Sequence, residues 1–287
     1  MKGFRLSGAF AGAGVAQGLA IAGGVTAQLL LARGLGADER GRLGFQMALV
    51  FMGSHLLALG LHWGLAVQVA RGVTQPGPSM RAATVQSLAA GCAYFLGALA
   101  LSAWLSGALR VSFAEALLGA TALSGMVMMS ASSGIANAAM RLSQYNVAIV
   151  AWRVMPVVVY LILWLTGRFS IGAALATNAA ASWVAALLGY RLAFPGVSWS
   201  GPGALAAFRA ALPNGLSALR ANGLVYLQQR LDVIMAVALL EPAVAGTYVV
   251  IAAAAELAVS PAQSVANVLF AALATGTRAM SSSGVTR

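Results

Sequence analysis

One apolar segment in the second half of the chain carries polar side chains that are able to bind an anion. They lie between residues 212 and 240 and are Arg220, Asn222, Tyr226, Gln229, Arg230 and Asp232. A guanidinium binds phosphate or carboxylate through two parallel hydrogen bonds. We therefore predict that Arg220 and Arg230 contact an anionic ligand. Tyr226 and Gln229 lie on one helical face and would contact the same ligand, while Asp232 would be a coupling or counter-charge residue.

A second polar stripe lies in the last apolar segment. Its members, at intervals of four, three and four residues, are Glu256, Ser260, Gln263 and Asn267. This spacing places them on one helical face, and Pro261 within the stripe would free backbone carbonyls nearby. The stripe fits either a cavity wall or hydrogen bonds between helices. In the first case Glu256 would be a proton or cation site and Gln263 a substrate contact.

Arg153 lies in a third apolar segment and shares a face with Asn146 and Tyr160, each seven residues away. It is about 9 Å along the helix from the end of its segment, at 1.5 Å per residue. Its side chain therefore either extends to the lipid headgroups or points inward and binds an anion. Both interpretations remain open.

The side chains of common enzyme sites do not form a set in this sequence. There is no Ser-His-Asp arrangement, paired carboxylate, phosphate-binding loop or Cys/His cluster. His55 and His62 lie seven residues apart on one face, where packing or cavity lining is a better interpretation than a proton relay. The chain has one cysteine and six acidic residues. We expect no enzymatic activity, metal or cofactor.

The composition is that of a membrane protein. Of 287 residues, 60% are hydrophobic and 8% are charged, which is too few charges to cover a soluble domain. Segments of about 20 apolar residues cross a bilayer as helices. Eight segments meet that length, at about 7–31, 43–70, 83–109, 113–140, 147–166, 170–190, 212–240 and 243–270. The sequence therefore predicts an all-α integral membrane protein with about eight transmembrane helices.

The arginines occur singly near the ends of apolar segments, a pattern typical of membrane orientation rather than nucleic-acid binding. With a cytoplasmic N-terminus, the inside loops hold more Lys and Arg than the outside loops, which favours that orientation. Glycines spaced by four residues allow close helix packing. These pairs are Gly8 with Gly12, Gly14 with Gly18, and Gly60 with Gly64.

Two stretches carry a family resemblance. Residues 29–45 read LLLARGLGADERGRLGF, while RLDVIM at 230–235 is followed by VAGTYVVIAAAAE at 244–256. The first resembles the first-loop signature of bacterial polysaccharide flippases, and the second is similar to the seventh and eighth helices of that family. Together they resemble the O-antigen and capsule branch of the multidrug/oligosaccharidyl-lipid/polysaccharide exporter superfamily.

The resemblance implies two lobes of helices, the second of them incomplete. Residues 1–191 would form a six-helix lobe, 192–211 a cytoplasmic loop, 212–273 the first two helices of the second lobe, and 274–287 a polar tail. Because members of the family usually have twelve or fourteen helices, the chain would be truncated at its C-terminus.

The implied function is movement of a polyprenyl-pyrophosphate-linked oligosaccharide across the bacterial inner membrane by alternating access. The partners would be this substrate, membrane lipids and other polysaccharide-assembly proteins, with no nucleic acid. Two alternatives stay open. One is a multidrug cation antiporter of the same superfamily, and the other is a non-transporting scaffold in polysaccharide assembly.

Overall fold

The computed structural model describes residues 6–103, 111–197, 203–241 and 243–255, without the side chains of 6–11 and 13. These residues form helices and connecting turns, with no β-strand among them. The helices are α1 (Leu6–Leu56), α2 (Leu61–Ala70), α3 (Pro76–Ser102), α4 (Phe113–Ala138), α5 (Leu142–Leu165), α6 (Ile171–Ala193), α7 (Ala204–Leu239) and α8 (Ala243–Ala255).

Five helical stretches of the described residues are long and apolar enough to cross a membrane. They are Gly14–Leu56, Pro76–Ser102, Phe113–Ala138, Leu142–Leu165 and Ile171–Ala193. The shorter α8 is also apolar. The prediction of an all-α membrane protein with about eight helices is thus confirmed. Two predicted spans differ in detail. The second predicted span is divided between α1 and α2, and the seventh begins earlier than predicted, because α7 starts at Ala204.

The predicted break between the first two spans is a bend at a single residue. The sequence predicts a loop over residues 33–42, yet those residues are helical on both sides of Gly36, whose φ is 73° and ψ is 175°. Arg40 donates a hydrogen bond to Gln28, twelve residues earlier. A straight helix would hold them about 18 Å apart, beyond the reach of their side chains. The chain therefore folds back at Gly36, where glycine tolerates the positive φ.

The second predicted span is interrupted within its apolar run. The chain leaves helical geometry between α1 and α2, where Leu59 has φ 53° and Gly60 has φ 63°. The side chain of Gln86 on α3 donates a hydrogen bond of 2.6 Å to the Leu57 carbonyl. This side-chain donor satisfies a carbonyl that the interruption takes out of the helical ladder.

The close contact between α2 and α7 forms what we call the α2–α7 seam. It consists of Gly60, which immediately precedes α2, and Gly64 and Gln68 on α2, with Ala210, Ala211 and Gly215 on α7. A Cβ at Gly60 would lie 2.2 Å from the Gly215 carbonyl oxygen, and one at Gly64 would lie 2.2 Å from that of Ala211. Gln68 donates to the Ala210 carbonyl at 2.9 Å. The two helices therefore pack backbone to backbone, as the Gly60–Gly64 spacing predicts.

The other described glycine pair is not a close contact. A Cβ at Gly14 or Gly18 would meet no described atom within 4 Å. The prediction of close packing is therefore wrong for this pair within the described residues. The Gly8–Gly12 pair is not tested, because the surroundings of Gly8 are not described.

The interior of the molecule is built around α4. Most of this helix is buried, including Leu123, Met128 and Ile135, and it packs chiefly on α6 and α3. Its first turn has a capping box in which Ser112 and Glu115 bond each other's backbone amides, and Glu115 also pairs with Arg42 at 3.5 Å. By contrast, α5 exposes apolar side chains such as Val158 and Leu165, as a helix that faces lipid does.

We predict that Gly64→Val lowers the thermal stability of the protein in detergent micelles. The new side chain would collide with backbone of α7, which cannot rotate away, and overpacking of this kind costs about 1–3 kcal/mol. The matched control is Gly18→Val, whose Cβ meets open space. Equal melting temperatures for the two variants would contradict the seam.

Candidate functional site between α1 and α7

Four side chains meet where the second half of α1 faces α7, and we call them the central cluster: Phe51, His55, Tyr226 and Arg230. The guanidinium carbon of Arg230 lies 4.1 Å from the centre of the Phe51 ring. The His55 ring lies between two aromatic rings, with centroids 4.4 Å from Phe51 and 4.1 Å from Tyr226. The cluster therefore combines a fixed cation with three flat rings.

Helical spacing builds the cluster from two matched pairs. Phe51 and His55 are four residues apart on α1, and Tyr226 and Arg230 are four residues apart on α7. Residues at this interval lie one above the other on a helix face. The two pairs interlock when the helices pack, so that each α7 side chain contacts a ring of α1.

The cluster lies well inside the ends of the two helices that form it. Phe51 is about 22 Å along the helix from the bend at Gly36, and Arg230 is about 14 Å from the end of α7, at 1.5 Å per residue. The core of a bilayer is about 30 Å thick. A cation within such a core is costly unless it faces protein or water. The face of Phe51 supplies one favourable surface, because the π-electrons of the ring attract a cation.

The hydrogen bonding of His55 determines which of its nitrogens carries the proton. Its Nδ1 lies 2.9 Å from the Phe51 carbonyl oxygen and 3.3 Å from the Ser54 hydroxyl. A carbonyl can only accept, so Nδ1 is the donor. In the neutral ring Nε2 is therefore the nitrogen without a proton.

Asp232 contacts a different neighbour from the central cluster. Its Oδ2 accepts a hydrogen bond of 2.8 Å from the Tyr248 hydroxyl, and its Oδ1 accepts one of 2.8 Å from the backbone amide of Val233. This contact ties α7 to α8. The two halves of the second motif, around Asp232 and Tyr248, thus meet in space.

The remaining predicted site residues do not join the central cluster in the contacts that are described. Arg220 and Gln229 are exposed on α7. Arg153 lies over the Trp152 ring at 4.3 Å, and its backbone packs against Gly23 in the first half of α1. Glu256 and Gln263 lie outside the described residues. Of the eight predicted residues, Tyr226 and Arg230 are those placed together in the cluster.

Two members of the cluster, Phe51 and His55, are missing from the predicted site. Their spacing of four residues is visible in the sequence, but only the spacing between His55 and His62 is weighed there. Nothing within α1 indicates that this face meets α7. The contact between the two helices is therefore the information that the sequence pattern lacks.

A buried polar network lies apart from the cluster. Tyr160, predicted to share a face with Arg153, is fully buried and its hydroxyl accepts a hydrogen bond of 2.7 Å from Asn178. Arg40 is also buried. Among the described residues, no three His, Cys, Asp or Glu side chains are grouped as a metal site.

No protein-family model matches the sequence, and no curated protein matches it. Three solved structures are similar, each at 17% identity over 94% of this chain. One is an outward-facing multidrug resistance MATE family transporter of the MOP superfamily, with a TM-score of 0.55 over 69% of its length. Another is a MATE protein in complex with MaD3S, with a TM-score of 0.55 over 70%.

The third similar structure is a MOP superfamily transporter from Pyrococcus furiosus Vc1 (DSM3638), described as having a binding pocket of reverse polarity that suggests a different function. Its TM-score is 0.56, and 68% of its length is covered. These likenesses show that the chain has the fold of MOP superfamily transporters over about two thirds of their length. It is a multi-pass membrane protein of that architecture.

We predict that Phe51 and Arg230 stabilise each other measurably. In a double-mutant cycle of Phe51→Leu and Arg230→Met, read by thermal unfolding in micelles, the coupling energy should be about 0.5–2 kcal/mol, the range of cation–π contacts. The control cycle pairs Phe51→Leu with Arg220→Met, because Arg220 is exposed. Additive effects in the first cycle would show that the contact contributes nothing.

Proposed function

We propose that this chain moves a polyprenyl-pyrophosphate-linked oligosaccharide across the bacterial inner membrane. The observation that carries the proposal is the arginine of the central cluster, held against an aromatic face between α1 and α7. A pyrophosphate diester bears two negative charges and is matched by a guanidinium through bidentate hydrogen bonds.

The surroundings of the cluster suit the rest of such a substrate. Gln229 and Arg220 lie exposed on the same helix and would meet sugar hydroxyls or the second phosphate. The Tyr226 ring offers a flat apolar surface with a polar edge, on which a sugar ring stacks. The polyprenyl tail would remain in the bilayer. In this proposal Arg153 and Gln263 line the same path, and Asp232 and Glu256 supply counter-charge or ion coupling.

The fold supports a transport mechanism by movement of two helix groups. Helices α1 to α6 would form one lobe, and α7 and α8 would begin another. The predicted loop at 192–211 is shorter than expected, because α6 continues to Ala193 and α7 begins at Ala204. The second lobe would extend to about residue 273, and the polar tail would follow at 274–287. Rocking of one group against the other around a fixed site is the usual means of alternating access. With the N-terminus cytoplasmic, the α2–α7 seam would lie toward the cytoplasmic side.

One observation favours an alternative function, export of cationic drugs. Asp232 is exposed and its carboxylate faces Tyr248, so an acidic group is available to a cation. Two of the similar structures are MATE transporters, one described as a multidrug resistance protein. The anionic substrate is the better match, because the charged member of the central cluster is an arginine.

The experiment uses the full chain in proteoliposomes with a fluorescent farnesyl-pyrophosphate-linked N-acetylglucosamine. Flipping is read as the rate at which an impermeant quencher removes fluorescence from the inner leaflet. We expect the chain to accelerate flipping, and Arg230→Gln to reduce that acceleration about tenfold or more, because loss of a charged hydrogen bond costs about 1.5–3 kcal/mol.

The matched control is Arg209→Gln, an exposed arginine on the same helix, which should flip the probe at the rate of the unmodified chain. Equal rates for Arg230→Gln and Arg209→Gln would remove Arg230 from the site. Uptake of ethidium that depends on Asp232, with no flipping of the probe, would favour the drug exporter. Absence of both activities would favour the scaffold.

A further inference from the structure

A buried arginine lies beside the bend of α1, away from the central cluster. Arg40 follows Gly36 by four residues, and its side chain is 4% exposed. Because α1 folds back at Gly36, the guanidinium of Arg40 reaches Gln28 in the first half of the helix and donates a hydrogen bond to its side-chain oxygen. An arginine keeps its charge at physiological pH. The fold therefore encloses a permanent positive charge.

The groups described around Arg40 are neutral. Gln28 offers an uncharged amide. Tyr160 of α5 is fully buried, and its hydroxyl is close enough to Arg40 to interact with it electrostatically. The Tyr160 ring packs in an apolar cluster with Leu31 and Leu43 of α1. The charge of Arg40 thus lies where water is largely excluded.

The carboxylates of the chain do not balance this charge in the part that the structure describes. Among the described residues, the one ion pair joins Arg42 to Glu115, and no carboxylate oxygen lies within 4.0 Å of the Arg40 guanidinium. The other described acidic residues are exposed, and they are Asp38, Glu39, Asp232 and Glu241. The sixth acidic residue, Glu256, lies outside the described residues. A buried charge is costly unless it is paired.

Two hydrogen-bond donors meet at this place. The Nε of Arg40 is buried and has no hydrogen-bond partner among the described atoms. The Tyr160 hydroxyl accepts a hydrogen bond of 2.7 Å from Asn178, and its own contact with the Ala174 carbonyl oxygen is long, at 3.4 Å. An acceptor between the guanidinium and the phenol would therefore receive one hydrogen bond from each.

We propose that Arg40 and Tyr160 bind one chloride ion beside the bend of α1. A singly charged anion balances the single charge of the guanidinium, whereas a divalent anion would leave an excess negative charge in apolar surroundings. A spherical ion accepts hydrogen bonds from any direction, which suits an N–H and an O–H that approach from different helices. Gln28 acts as a positioning residue, because it holds the guanidinium in place. The site is separate from the central cluster and does not depend on the function proposed above.

A bound chloride would join the two halves of α1 to α5 and so stabilise the folded chain. The test is thermal unfolding of the full chain in detergent micelles, in sodium chloride and in sodium gluconate of equal ionic strength. A ligand that binds only the folded state raises its stability with concentration. We expect an unfolding temperature about 2–4 °C higher when chloride is several times its Kd. The dependence on chloride concentration gives the Kd.

Three variants separate the site from a general salt effect. Arg40→Met removes the charge at similar length and should lose the difference between chloride and gluconate. Tyr160→Phe keeps the ring in its apolar cluster and should raise the chloride Kd about fivefold, the loss expected for one neutral hydrogen bond. Arg168→Gln is the matched control, because Arg168 is exposed at the same end of the helices, and it should keep the full difference.

Two results would overturn the chloride site. One is an unmodified chain that unfolds at the same temperature in both salts, and the other is a difference between the salts that persists in Arg40→Met. If Arg40→Met does not fold, Tyr160→Phe decides the matter, since an unchanged chloride Kd in that variant contradicts the proposal.

Discussion

A guanidinium packed between the helices of a membrane protein needs a surface that replaces water, and the rest of the proposed site depends on how this chain supplies one. Arg230 lies over the face of Phe51, and His55 and Tyr226 extend the stack. Rings hold a cation without neutralising it. The central cluster therefore combines a positive charge with flat ring surfaces, the two features that the proposed substrate would contact.

The arrangement of the cluster depends on backbone contacts on either side of it. Toward one end of α1 and α2, the α2–α7 seam brings Gly64 within contact of the Ala211 backbone. Toward the other, Gly246 of α8 lies so close to Ala37 that a Cβ would be 2.0 Å from its carbonyl oxygen. Contacts without side chains fix the separation of the helices, and only at that separation do the aromatic rings and Arg230 interlock.

These close contacts also bear on movement between the lobes. Glycines let the backbones of two helices approach closely, with few side chains between them. Asp232 and Tyr248, by contrast, join α7 to α8 by a hydrogen bond. In the proposed mechanism α7 and α8 would therefore move as a pair relative to α1 and α2.

The sequence predicts the helices well because continuous apolar runs are a strong signal. It predicts the break between the first two spans but not its form, because the residues on both sides of Gly36 are helical and the φ angle of this one residue makes the turn. It also misses the interruption at Leu59 and Gly60, which lies inside an apolar run and is packed against α7.

The candidate site is predicted in part. Tyr226 and Arg230 follow from spacing within one helix, whereas Phe51 and His55 depend on which helix lies opposite. Periodicity along one segment holds no information on that pairing. The sequence pattern also does not show which side chains are exposed. Arg220 and Gln229 therefore appear beside Arg230 in the pattern, but they are exposed and lie outside the cluster in the described contacts.

The most direct measurement of the central claim is a nitrogen–phosphorus distance. Solid-state NMR of ¹⁵N-arginine-labelled protein in lipid, with the pyrophosphate-linked sugar bound, reports guanidinium nitrogens within about 4 Å of phosphorus, the range of a charge-assisted hydrogen bond. The account predicts dephasing of an arginine signal that is lost in Arg230→Lys. No dephasing in the unmodified chain, or dephasing that persists in Arg230→Lys, would contradict it.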